Sequence, residues 1–433
     1  MTALLPVTQR ALLHDVATVQ ADDRQPSVVA GVVRDGALVW SAGRGELGEA
    51  VGDPAGLQYR IGSLTKTFTA VLALQCRDEG LLDLDHQVGT HLPGSPYPAT
   101  TLRQLLAHAG GVPAEPDGPW WERHEGGSLD DLVARLARQP QVLSAGAQHH
   151  YSNVGYALLG AVVARLRGGT WWQVLSERVL TPLGMARTTY GPEQPHAQGW
   201  SVHPWSGQLA AEPHTDTGAM APAGQLWSTV TDLSRWAVFL LDPDPAVLAP
   251  ATLEQMRVPT ASRAGDSAGS YGLGLRLEIS AGGLRHGHGG SMPGFLAGIM
   301  VDPAERAGAV TLANATTGGT VSLAMTLLDT MRDVEPALPT PWAPEPELPG
   351  VDGLLGQWFW GNTPYYVSVR AGRLHLSGDD AMRGTRFVPD GVDRWRGLDA
   401  YFTCETLRVV RAADGSVDRL DLATYPLRRA PYA

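Results

Sequence analysis

The sequence predicts an α+β protein, an antiparallel β-sheet flanked by helices, followed by a small all-β domain. Three observations lead there. Strand-like runs stand at both ends of the first 335 residues, with helical runs between them. A proline-rich stretch then interrupts the chain, and alternating apolar and polar runs with turns between them fill the rest. Strands at both ends of a region, with helices in the middle, are most simply joined as one sheet whose first and last strands meet.

In chain order, residues 7–21 read as an amphipathic helix. "SVVAGVVRDGALVWSAGRGE" gives two β-rich runs joined by Asp35-Gly36, a dipeptide that favours the left-handed conformations of a tight hairpin turn. Residues from about 60 to 260 carry helical runs and loops rich in Gly and Pro. From 271 the strands return as "YGLGLRLEIS", "LRHGHGGS", "FLAGIMVDP" and "AGAVTLANAT", and the helix "TVSLAMTLLDTMRDV" closes the region. The boundaries expected are therefore a domain over 1–335, a linker over 336–350 with six prolines between Pro336 and Pro349, and an all-β, barrel-like domain over 351–433.

Composition excludes several functions. Hydrophobic residues make up 43% and charged residues 18%, with mean hydropathy near zero, as in a soluble globular protein. No apolar run reaches the roughly 18 to 20 residues a membrane span needs. The first 26 residues lack a basic front, a sustained apolar block and a small-residue cleavage site, so no secretory signal is read and a cytoplasmic location is expected. A net charge of -11 with scattered arginines argues against nucleic acid or membrane partners, which need a concentrated basic face. Cys76 and Cys404 form no disulfide or metal pattern and are expected to be buried apolar residues. "HGH" at 286–288 and "HH" at 149–150 match no metal-ligand spacing, so no metal is assigned.

One residue stands apart from this composition. Of the 33 Lys plus Arg, 32 are arginine and the single lysine is Lys66. A lysine can lose its proton near neutral pH when its surroundings favour the neutral form, whereas arginine cannot. Ser63 lies three residues earlier, before the helical run "TKTFTAVLALQC", a spacing that puts hydroxyl and amine on one helix face and the serine in the first turn, where the dipole favours negative charge. With 21 serines in 433 positions, a serine would precede this lysine at that spacing by chance about one time in twenty. Two further stretches add weight. "YSN" at 151–153 precedes the helix "VGYALLGAVVARL" and lets Tyr151 and Asn153 face a cleft, although a helix cap would explain it too. In "HGHGGSMPGF" the chain leaves a strand through three glycines, either as an ordinary turn or as an edge bare enough for a substrate to lie against.

Ser-x-x-Lys, Tyr-Ser-Asn and His-Gly-Gly in this order resemble the serine hydrolases allied to class C β-lactamases, D-alanyl-D-alanine carboxypeptidases and family VIII carboxylesterases, the penicillin-binding-protein-like superfamily. "LLAHAGGVP", "LTPLGMARTTY", "PAGQLWSTVTDLSRWA" and "YGLGL" extend the likeness over most of residues 7–332. The resemblance implies a β-lactamase/transpeptidase-like fold with a helical subdomain. It implies a two-step acyl transfer in which Ser63 attacks a carbonyl and its proton passes to Lys66 and Tyr151, one of which starts deprotonated. The oxyanion would be held by the backbone N–H groups of Ser63 and Ser291, each worth roughly 3 to 4 kcal/mol. Asn153, His288, Gly289 and Gly290 would bind substrate, a small ester, amide or peptide, and no cofactor is required.

The departures concern substrate. "AHAGG" at 107–111 replaces an expected Thr-Ser-Gly, read as a hydroxyl-rich helix start reduced to small residues, and "AGAQHH" replaces Pro-Gly before "YSN". His288 replaces a lysine that helps hold a β-lactam carboxylate, and a largely neutral imidazole would hold it less well. An esterase, a D-amino-acid peptidase or amidase, and a β-lactamase or D-Ala-D-Ala carboxypeptidase remain open, with a non-catalytic scaffold as the other class. An α/β-hydrolase needs Gly-x-Ser-x-Gly on a strand-to-helix elbow, and the match at 265–269, followed by the strand-like run "YGLGLRLEIS", does not supply one. In the C-terminal part, Trp358, Trp360, Tyr365 and Tyr366 would form a core or a domain contact, with a cleft lining as the alternative.

Overall fold

A computed structural model describes residues 4–48, 52–262, 269–339, 341–344, 347–378 and 383–432. The chain divides into two compact units, Met1–Ala337 and Leu338–Ala433. In the first, helix α1 (Pro6–Asp22) leads into strands β1 (Ser27–Arg34) and β2 (Ala37–Gly45). Their turn is Asp35-Gly36, both with positive φ, as the hairpin reading expects. The sheet is completed by β3 (Ala261–Ser262), β4 (Gly269–Tyr271), β5 (Arg276–Ser280), β6 (Gly283–Met292), β7 (Phe295–Asp302) and β8 (Ala307–Ala313). It runs in the order β2-β1-β8-β7-β6-β5-β4-β3. The first strand of the unit thus pairs antiparallel with the last, Val28 opposite Ala313.

Both faces of the sheet are covered, which is why "SVVAGVVR" is apolar without alternation. Val28, Ala30 and Val32 face one cluster with α1 and α6 (Thr320–Val334), while Val29 and Val33 face the larger cluster on the other side. That larger cluster contains α2 (Thr65–Asp78), α4 (Asn153–Arg167) and α5 (Val230–Leu241), and α2 is buried continuously from Thr65 to Cys76. A helix wrapped on all sides needs its polar groups paired. Thr67 Oγ1 accepts from the Trp236 indole at 2.9 Å, and Trp236 stacks on Phe68 with centroids 4.0 Å apart, which fixes α2 against α5. On β6, the buried Arg285 guanidinium pairs with Asp302 of β7 at 2.8 Å and with Asp329 of α6 at 2.9 Å.

Three local readings need correction. The glycines of "HGHGGS" do not leave a strand: Gly287, Gly289 and Gly290 lie inside β6, paired with Met300, Gly298 and Ala297, and the chain turns only at Pro293-Gly294. Residues 107–111 do not start a helix but follow the end of α3 (Leu102–Leu106), because His108 takes a left-handed φ of 53°. Cys76 is buried, yet Cys404 is exposed, in a turn where its φ is 64°.

The second unit is one antiparallel sheet of eight strands, from Gly356–Trp360 to Tyr425–Leu427, each paired with the next. A bridge between Phe359 and Arg428 brings its first and last strands together, so the sheet closes nearly into a barrel. Trp358 and Tyr365 belong to its core, Trp360 packs partly buried against it, and Tyr366 is exposed.

Candidate active site

The site forms where the start of α2 meets β6. Ser63 sits in a single tight helical turn, Gly62–Leu64, that runs directly into α2, one turn earlier than a place inside the helix proper. The preceding segment is pinned by a two-residue ladder between Tyr59–Arg60 and Trp227–Ser228 and by Ile61 N–H donating to Leu226 O at 2.9 Å. Gly62 has a φ of 50°, and a Cβ there would stand 2.7 Å from Ser291 N and 2.6 Å from Ser291 O. Across the same contact, a Cβ on Gly290 would stand 1.9 Å from Ile61 O. The two glycines let the backbone of β6 lie against the turn that carries Ser63.

Lys66 is fully buried, and its Nζ has three partners: Ser63 Oγ at 2.9 Å, Asn153 Oδ1 at 2.6 Å and Ala223 O at 2.7 Å. Two of these can only accept. A neutral amine can therefore give its two hydrogens to Asn153 and Ala223 and offer its lone pair to the Ser63 hydroxyl. Burial pushes this amine down to about 7, against the opposing pull of Glu115 and then Glu122.

Tyr151 is also hydrogen-bonded to Ser63. Burial raises its phenol, and its bond with Ser63 lowers it. Lys66 Nζ lies 5.0 Å from its ring centroid. Ser152, next in sequence, caps α4 by accepting from Gly155 N–H at 2.9 Å; Tyr151 lines the cleft, but Asn153, expected there as a substrate contact, does not, because its amide is taken up by Lys66 and Glu115. Asn153, mostly buried, accepts from Lys66 on Oδ1 and donates from Nδ2 to Glu115 Oε1 at 2.6 Å.

His288 keeps both ring nitrogens within the protein. Nδ1 donates to Gly289 O, and Nε2 accepts from the Tyr271 hydroxyl at 2.8 Å. Burial, then the Lys66 charge, pushes its imidazole down to about 3, so the ring is neutral at physiological pH. Ser63, Tyr151, His288, Gly289, Gly290 and Ser291 line one cavity of about 490 Å³, whereas Lys66 and Asn153 lie behind its wall.

Three residues of this arrangement were given no role by the sequence, although His108 and Tyr271 lie in stretches that carry the resemblance. Glu115 follows "LLAHAGGVP" by two positions, in a loop without periodicity. Tyr271 read only as the start of a strand. His108, buried, accepts the Ser152 N–H on Nδ1 at 3.0 Å and packs tilted against the Tyr151 ring, with centroids 4.1 Å apart. Burial, then the Lys66 charge, holds it well below the usual imidazole range.

Residues 14–329, about three quarters of the chain, match the Beta-lactamase family. The chain belongs to that family, the penicillin-binding-protein-like serine hydrolases that its motifs resemble. Residues 348–429 match a family described as a domain of unknown function, DUF7586. "Beta-lactamase-like protein 2" of Dictyostelium discoideum is 29% identical over 55% of this chain and 46% of its own length, so the chain spans about half of that relative. Two solved structures resemble it. SurE is 25% identical and covers 98% of this chain and 99% of its own, with a TM-score of 0.62. A D-stereospecific amidohydrolase from Streptomyces sp. is 28% identical and covers 73% of this chain and 96% of its own, with a TM-score of 0.61.

Proposed function

We propose that this protein hydrolyses small esters or amides through an acyl-enzyme on Ser63, with Lys66 as the general base. The observation that carries the reading is the lone lysine: buried, 2.9 Å from Ser63 Oγ, and held near neutrality in its proton affinity. In the first step the Ser63 O–H bond breaks, its proton goes to the Nζ lone pair, and Oγ bonds to the substrate carbonyl carbon. The ammonium so formed keeps all three partners, with Ser63 Oγ now accepting, so no group must move when the proton arrives. Tyr151, neutral and bonded to Ser63, relays the proton to the leaving group, and water then releases the acyl group. The backbone N–H groups of Ser63 and Ser291 hold the oxyanion, which the close contact at Gly62 and Gly290 supports. His288, Gly289 and Gly290 shape the acyl pocket, and Asn153 acts on Lys66 from behind.

The neutral, doubly engaged His288 offers no cation to a β-lactam carboxylate, which favours esters and amides over β-lactams. The similarity to a D-stereospecific amidohydrolase adds D-amino-acid amides and peptides to the candidates.

The test is a panel of p-nitrophenyl butyrate, D-alanine amide, a D-Ala-D-Ala peptide and nitrocefin, with mass spectrometry of the quenched protein. Turnover of an ester or amide with an acyl adduct on the peptide containing Ser63 is expected. No turnover and no adduct would leave the scaffold reading standing, and fast nitrocefin turnover would move the assignment to a β-lactamase.

A pH profile follows from the same geometry. The free amine is the active form, and it is lost as pH falls through about 7. The kcat/KM for p-nitrophenyl butyrate is therefore expected to rise with pH, with its acidic midpoint near 7, and to fall about tenfold per unit well below it. A flat profile from pH 5 to 8 would exclude Lys66 as the base.

A further inference from the structure

We propose that Glu115 is a positioning residue of this reaction, locking the Asn153 amide with its oxygen on Lys66 Nζ and setting a fixed negative charge behind it. The inference rests on the reading of Lys66 as base and concerns a residue outside the cavity wall.

An asparagine amide can turn over, exchanging donor and acceptor, unless a neighbour accepts only one of the two orientations. Glu115 is that neighbour. As a carboxylate it can only accept: Oε1 takes the Asn153 N–H at 2.6 Å, and Oε2 takes the Trp121 indole N–H at 2.6 Å. A turned amide would set its oxygen against the carboxylate and its NH2 against the amine, losing both bonds. The backbone holds the carboxylate in register with the start of α4. Asn153 N–H donates to Ala114 O at 2.9 Å, and Ser152 Oγ donates to Pro113 O at 2.6 Å. Glu115 and Asn153 are thus paired through adjacent residues of two segments already joined.

The charge matters as well as the orientation. The titratable groups around Lys66 are Glu115, Glu122, Tyr151, Tyr156, His108 and His288. The two imidazoles are neutral and both tyrosines are raised by burial, which leaves the two glutamates as the opposing charges, with Glu115 the stronger. Without Glu115 the amine would lose its proton at lower pH. Glu115 reaches the surface, so solvent weakens its pull, and the side chain can be changed without opening a core.

Because Lys66 is the only lysine, protein grown with 13Cε-labelled lysine gives a single lysine resonance whose shift follows its protonation without any substrate. In Glu115→Gln, at least one of the two donors must face an NH2 instead of an oxygen. The titration midpoint is expected to fall by at least about 0.3 pH unit. The acidic limb of kcat/KM should move the same way, with the plateau reduced roughly tenfold. Glu115→Asp keeps the charge one methylene short, so it should hold the midpoint within about 0.2 unit while still losing several-fold in kcat/KM. A midpoint unchanged or raised in the Gln variant would overturn the role of the charge. A kcat/KM in the Asp variant equal to wild type would overturn the positioning role. A wild type that turns over no substrate would sink the function proposed above, while the lysine resonance would still decide the effect of Glu115.

Discussion

Replacing Lys66 by methionine or by arginine is expected to lower kcat/KM for p-nitrophenyl butyrate by at least about 10³-fold. Methionine fills most of the same volume but has no lone pair of comparable basicity. Arginine keeps a charge the rest of the chain uses 32 times, but its guanidinium stays protonated at any pH the fold tolerates. Both variants should therefore fail, and arginine is the sharper test, because a purely electrostatic role would survive it. Thermal unfolding of Lys66→Met should change little. The buried acceptors Asn153 Oδ1 and Ala223 O lose their donor, but the cost of holding the amine out of water goes as well. Activity within tenfold of wild type in a folded Arg variant would show that the amine takes no proton.

Gly290→Ala is expected to destabilise the large unit by about 3 kcal/mol or more and to abolish labelling of Ser63 by a serine-directed fluorophosphonate probe. A Cβ there would stand 1.9 Å from Ile61 O and 2.9 Å from Ile61 C, and these are backbone atoms tied to the ladder that holds the Ser63 turn. Relief requires β6 to part from that turn, which also separates Ser291 from Ser63. The neighbouring Gly289 is the control. A Cβ on it would press on the Val321 side chain at 2.6 Å, which can adjust, and meet Ala297 O at an ordinary 3.9 Å, so Gly289→Ala should be markedly milder in urea denaturation. Equal stability of the two variants would mean that the close approach at Gly290 does not hold the site together.

These two predictions draw on different kinds of information. The pairing of Ser63 with Lys66 was legible because the two lie one helical turn apart, and a rare amine in an arginine-rich chain draws notice by itself. The hairpin at Asp35-Gly36 and the closing helix over 320–334 were legible for the same local reason: turn chemistry and periodicity act between near neighbours. The meeting of β1 with β8 was legible too, since few topologies join strands from the two ends of a region. The glycines of β6 were not. A glycine run reads as a turn unless another backbone is known to press on it, and here the pressing backbone is Ile61, more than 200 residues away. Cys404 misled because one apolar side chain says little about exposure when the turn that holds it is set by its partner strands.

The sequence by itself determined which side chains can exchange protons at this site, because residue type and short spacing decide what a group can become. Only the tertiary structure decided which form each one takes. Burial brings the Lys66 amine near neutrality and holds His288 uncharged, and Glu115, distant in sequence, takes its place behind Asn153. The cost of desolvating a charge depends on everything packed around it, and no local stretch of chain contains that sum.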